Sequence, residues 1–156
     1  MTIEDPRTRN PFDREALARR ALELHSMKYN CAQAVACTLA PLIGADEELC
    51  FRAAEGLGGG MGGLTETCGA VSGAAMAIGL ANSNGQDDRT SKQATYRIVR
   101  KLVSDFREQN GSTLCPELKG IKTKQPLRSC DGCIVDALQP AADALAGLPA
   151  DKPLDA

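Results

Sequence analysis

The sequence predicts an all-α fold, a compact bundle of about five to six helices with one Gly-rich connector. Three observations predict it. Apolar residues recur at helical spacing along most of the chain. Helix-capping residue types precede those runs, and Gly or Pro follows them. Aromatic residues are scarce, two Tyr, three Phe and no Trp among 156 residues. The core must therefore be built from Ala, Leu, Ile, Val and Met, which favours close helix packing over a β-sandwich. That length, at 43% apolar residues, suits one domain with one core.

Taken in order, residues 1–12 read as a loose lead-in broken by Pro6 and Pro11, and 13–147 as the single domain. Asp13 caps a helix to about Met27, with Leu17, Ala21 and Leu24 as its apolar stripe. A second helix runs from Asn30 to about Leu39, with Cys31, Val35 and Leu39 on one face and Pro41 and Gly44 ending it. Asp46 caps a third through about Glu55. Residues 56–63, Gly-Leu-Gly-Gly-Gly-Met-Gly-Gly, suit neither helix nor strand. Thr67 caps a fourth helix, Cys68 to about Leu80, in which Gly69, Gly73 and Ala77 make a groove of small residues that lets another backbone come close. Asn82 to Gln86 is a turn. The longest helix runs from Asp87 to about Gln109, with Val99, Leu102 and Phe106 inward, Arg97, Arg100 and Lys101 outward, and Asn110-Gly111 closing it. A turn at Cys115-Pro116-Glu117-Leu118 and a basic loop from Lys119 to Arg128 follow. The last helix starts near Ser129 or Cys130, runs to about Ala146 and is kinked at Pro140. Residues 148–156 read as a frayed tail.

A net charge of −2 gives no field for nucleic acid or an anionic membrane. The longest apolar stretch, Gly69 to Ala81, is too short and too rich in Gly and Ala to span a bilayer. Met1 to Asn10 is polar and shows no export signal, so a cytoplasmic, reducing location is expected. The seven cysteines cannot all pair within the chain. In a reducing compartment such a set points to metal binding or redox chemistry rather than a disulfide framework.

Four cysteines share a setting. Asn30 precedes Cys31, Thr67 precedes Cys68, Ser129 precedes Cys130, and Cys115 before Pro116 would itself be a cap. All four are thus expected at helix N-termini. There, unpaired N–H groups and the helix dipole stabilise thiolate, the form that attacks disulfides and binds metal. The same amide donors suit the sulfurs of an Fe–S cluster. Cys37 and Cys50, mid-helix among apolar neighbours, read as small core residues. Cys133 forms a CxxC pair with Cys130, a pattern used for dithiol exchange, zinc or Fe–S ligation, and Ile134 in place of His excludes c-type haem attachment. Gly58, Gly60 and Gly63 match GxGxxG formally, but no strand precedes them and no Gly-Lys-Ser/Thr follows. The run, Gly59 and Gly60 included, reads either as bare backbone against a cofactor or as a tight connector. His25, the only histidine, reads as an exposed helix residue; Glu47-Glu48 and Asp87-Asp88 read as helix-start charges.

These segments resemble a known family. Glu55 to Gly62, followed by Thr67-Cys68-Gly69-Ala70-Val71-Ser72-Gly73-Ala74, resembles the signature of the C_GCAxxG_C_C redox-active proteins. Asn30-Cys31-Ala32-Gln33-Ala34-Val35 resembles their first cysteine segment, Cys115-Pro116-Glu117-Leu118 the third, and Cys130 with Ile134-Val135-Asp136-Ala137 the fourth. The resemblance covers roughly residues 15–145 and implies a four-cysteine redox protein, of a kind often encoded near transporters and oxidoreductases. The chain is also similar to a domain of split-Soret cytochromes, which carry haem and an Fe–S centre; without CxxCH the haem is not carried over. Cys133 is extra to the family pattern and competes with Cys130 as the fourth site cysteine.

The leading expectation is an Fe–S cluster, [2Fe–2S], on Cys31, Cys68, Cys115 and Cys130, with Cys133, Gly59, Gly60 and Gly69 lining it and electrons passing to a redox partner protein. A metal-free thiol/disulfide oxidoreductase, with Cys68 as nucleophile and Cys31 or Cys130 resolving, is the second. A structural zinc site or an interaction module serving a transporter is the third. The small-residue groove suits packing within the chain or across a homodimer.

Overall fold

The computed structural model describes residues 11–148. Among them the chain forms seven helices and no strands: α1 Arg14–Ser26, α2 Cys31–Leu39, α3 Glu47–Ala54, α4 Gly69–Asn82, α5 Lys92–Asn110, α6 Cys115–Lys119 and α7 Cys130–Ala146. The seventh arises because the Cys115 turn is a five-residue helix. The lead-in and tail lie outside the described residues except for Pro11, Phe12 and Leu148, and both Phe12 and Leu148 pack against the core.

Capping explains where most helices begin. Asp13 accepts from the Ala16 N–H and Asp46 from the Leu49 N–H. Asn30 forms a full capping box with Gln33. Ser129 accepts from the Gly132 N–H. Gly44, Gly111 and Gly120 close segments in the left-handed conformation that glycine adopts without strain.

Three starts differ from expectation. Cys68, not Thr67, occupies the cap position of α4, because Thr67 is drawn into an antiparallel bridge with Leu114. Leu114, not Cys115, caps α6, and its N–H is satisfied by Ser112 Oγ. The long helix starts at Lys92 rather than Asp87. Asp88 accepts from Thr90 N–H and Oγ1 and from Asn84 Nδ2, a local turn that competes with helix. Asp87 and Asp88 are therefore turn residues, whereas Glu47 and Glu48 do open α3.

The core is centred on α2, whose residues Ala32 to Leu39 are all buried. It packs against α4, α3, α1 and α7. The α2–α4 contact is very close: a Cβ on Gly73 would lie 2.5 Å from the Ala32 carbonyl oxygen. The predicted small-residue groove is thus filled from within the chain. On α5, Leu102 and Phe106 are buried and Val99 packs against the core at partial burial, while Arg97, Arg100 and Lys101 face outward. The last helix continues through Pro140 to Ala146. The Gly-rich connector forms two tight turns, Glu55–Leu57 and Gly60–Leu64, the second with positive φ at Met61 and Gly62. No described helix is long and apolar enough to cross a membrane.

Candidate functional site

Four helix starts meet at one place. Cys31, Cys115 and Cys130 are the first residues of α2, α6 and α7, and Cys68 is the cap of α4. The bridge between residues 67 and 114 aligns two of them: the Cys68 N–H donates to Thr113 O at 2.8 Å, and the Cys115 N–H to Glu66 O at 2.9 Å. All four, with Cys133, line one cavity of about 190 Å³. Gly59 and Leu64 from the connector, Leu118, Lys119, Arg128 and His25 complete much of its wall.

Glycines make room for the sulfurs. A Cβ on Gly69 would fall 2.5 Å from Cys31 Sγ, and one on Gly60 would fall 2.5 Å from Cys115 Cβ. Asn30, beside Cys31, also ties the connector down by donating from Nδ2 to Glu55 O at 2.9 Å. One of the two glycine readings is thus extended: the connector is tight and also lies against the thiols.

The thiols act on one another directly. Cys68 is the strongest influence on Cys31, and Cys133 the strongest on Cys68. The expected lowering by helix N-termini is present but outweighed. Backbone N–H groups at Gly59 and Ala32 favour the Cys31 thiolate, yet the neighbouring Cys68 thiol, then burial, hold Cys31 well above the ordinary thiol range. Cys68 is pushed up to about 12, first by Cys133 and also by burial, although Cys31 and the Ala70 N–H act the other way. Burial, above all, raises Cys115, with Lys119 opposing it. Lys119 itself is held more firmly protonated, above all by the neighbouring Cys130. Cys37 and Cys50 stand apart as buried core thiols, as expected; burial first, then Glu47, pushes Cys37 up to about 12.

His25 is the site residue that the sequence does not reveal. It does not simply point into solvent. It lines the thiol cavity with its side chain 30% exposed, and Nδ1 lies 2.7 Å from Asp131 Oδ1. Arg128 is a second such residue. It spans Gly132, which has no Cβ to obstruct it, and pairs with buried Asp136 at 2.9 Å; Gln109 also donates to that carboxylate. Neither residue sits in a recognisable motif.

As the side chains stand, no group of three or more His, Cys, Asp or Glu residues among those described could hold a metal ion. What the arrangement offers is a partly open cleft lined by five thiols, with one ammonium and one His–Asp pair at its wall. Comparison with known proteins bears on this arrangement. No curated protein and no solved structure matches the chain. A family model described as "Putative redox-active protein (C_GCAxxG_C_C)" matches residues 29–144. That span runs from just before Cys31 to beyond Cys133, takes in every cysteine of the cavity, and shows that the chain belongs to the C_GCAxxG_C_C family of redox-active proteins.

Proposed function

We propose that the protein transfers electrons through an Fe–S cluster, [2Fe–2S], held by Cys31, Cys68, Cys115 and Cys130. The observation that carries this reading is that these four thiols, each at the start of a different helix, share one small cavity. The donor chemistry fits. Thiolates hold such clusters, and N–H donors near the sulfurs tune their potential. A single tetrahedral ion needs its ligands around one point, which the side chains do not provide as they stand. A two-iron cluster takes two thiolates per iron. Cys31 acts with Cys68 as its strongest neighbour, and both Cys31 and Cys130 bear on Cys115.

When bound, the cluster would supply one-electron chemistry. The chain supplies the rest. Lys119 offsets thiolate charge beside Cys130, and protonated thiols must release protons on loading. The partner is a second redox protein, and the cytoplasm is the compartment that keeps such thiols reduced.

The test is anaerobic purification and reconstitution with iron and sulfide. Cluster absorbance with about two irons and two sulfides per chain is expected, lost in Cys68→Ser and Cys115→Ser and retained in Cys37→Ser. Colourless, iron-free protein would overturn the proposal, and tightly held zinc would redirect it to a structural site. The position of Cys31 Sγ against Gly69, next to Cys68, favours a second reading, metal-free thiol/disulfide exchange. Alkylation with and without reductant would support that reading if the thiols' labelling follows redox state.

A further inference from the structure

Cys133 is not among the four cysteines assigned to the cluster, yet it is the most buried thiol in the cavity. Its exposure is 3%, against 6% for Cys68, while Cys31 is only partly buried. It lies one helical turn beyond Cys130 on α7, and α7 packs against α4, which Cys68 caps. Cys68 therefore stands between two thiols: Cys31, whose Sγ lies against the adjoining Gly69, on the more accessible side, and Cys133 on the inner side.

We propose that Cys31, Cys68 and Cys133 form a three-thiol relay, in which the oxidised metal-free centre comes to rest as a buried Cys68–Cys133 disulfide. The inference rests on the redox-active assignment and needs no cluster. An external disulfide, such as glutathione disulfide, is attacked by Cys31, the one partly exposed thiol of the three, which loses its proton in the step. A mixed disulfide forms and one glutathione leaves as thiol. Cys68 then attacks the Cys31 sulfur, releasing the second glutathione and leaving Cys31–Cys68. Cys133 attacks the Cys68 sulfur, forming Cys68–Cys133 and returning Cys31 to the thiol. Each attacking thiol gives up its proton, and each leaving thiolate takes one up. Overall, one glutathione disulfide is reduced to two thiols while two protein thiols are oxidised to one disulfide. Burial favours the inner bond as the resting one, because external thiols reach it least.

The test uses full-length, metal-free protein, reduced and then exposed to glutathione disulfide. Samples are quenched over time, alkylated and mapped by mass spectrometry without reduction. Glutathionylated Cys31 and a Cys31–Cys68 peptide are expected early, and a Cys68–Cys133 peptide with alkylatable Cys31 at the end. Cys133→Ser should stop at Cys31–Cys68, and Cys31→Ser should lose the early species. Cys133 remaining alkylatable after full oxidation, or a Cys130–Cys133 bond as the end state, would overturn the relay. Iron and sulfide analysis of separately reconstituted protein keeps the two ideas apart, since either can fail while the other stands.

Discussion

Gly69 fixes where the Cys31 sulfur can sit. The α4 backbone comes so close that a single added carbon would lie 2.5 Å from Cys31 Sγ and 2.9 Å from Leu57 O. Gly69→Ala must therefore displace either the thiol or the connector. A loss of about 1–3 kcal/mol in urea denaturation is expected, typical of overpacking, with a changed alkylation rate at Cys31. Gly79, on the same helix, has nothing within 4 Å of its hypothetical Cβ. Gly79→Ala should stabilise by about 0.5–1 kcal/mol through helix propensity. Equal effects from the two substitutions would contradict the described contact. The small residues themselves are legible in the sequence as a stripe of i, i+4 spacing. His25 is not, because its partner Asp131 lies 106 residues away and only the α1–α7 packing brings them together.

At the scale of elements, helix starts are legible where one side chain does the capping and illegible where distant backbone does it. Asp13, Asn30, Asp46 and Ser129 each cap the helix expected of them. Cys68 and Leu114 hold their cap positions because residues 67 and 114 pair across 47 positions, which no local pattern encodes. The start of α5 is missed for the opposite reason, since the Asp88 turn is local but uses residue types that also open helices. Asn30 does more than cap. It accepts from the Gln33 N–H, its own N–H donates to Gln33 Oε1, and its Nδ2 anchors the connector at Glu55. Asn30→Ala is thus expected to cost about 2 kcal/mol, and Ser129→Ala, which loses one cap bond, about 1 kcal/mol. Chemical denaturation of the two variants checks the order. A cheaper Asn30→Ala would mean that the connector is not held through this residue.

For the whole molecule, the bundle was legible from periodicity and capping, but the convergence of four helix starts was not. It depends on helix packing, and spacing along the chain says only that each cysteine begins a helix. One consequence of packing belongs to the entire fold. Cys31, Cys68 and Cys115 in the cavity, and Cys37 and Cys50 outside it, ionise less readily than in an unfolded chain, whose thiols titrate near 9.0. Around Cys37 the facing groups are Glu47, Cys50 and Glu48, with Arg20 opposing them. Raised values mean that the unfolded chain loses its thiol protons first. The stabilisation is therefore complete below pH 9.0 and falls as pH rises toward about 12, the level reached by Cys37 and Cys68. Reduced, metal-free protein should show a urea midpoint insensitive to thiol ionisation up to pH 9.0 and declining above it. Lysines and tyrosines also titrate in that range, so Cys37→Ala supplies the control: removing one buried thiol should make the decline shallower. An identical slope in that variant would mean that the buried Cys37 proton contributes nothing to alkaline unfolding.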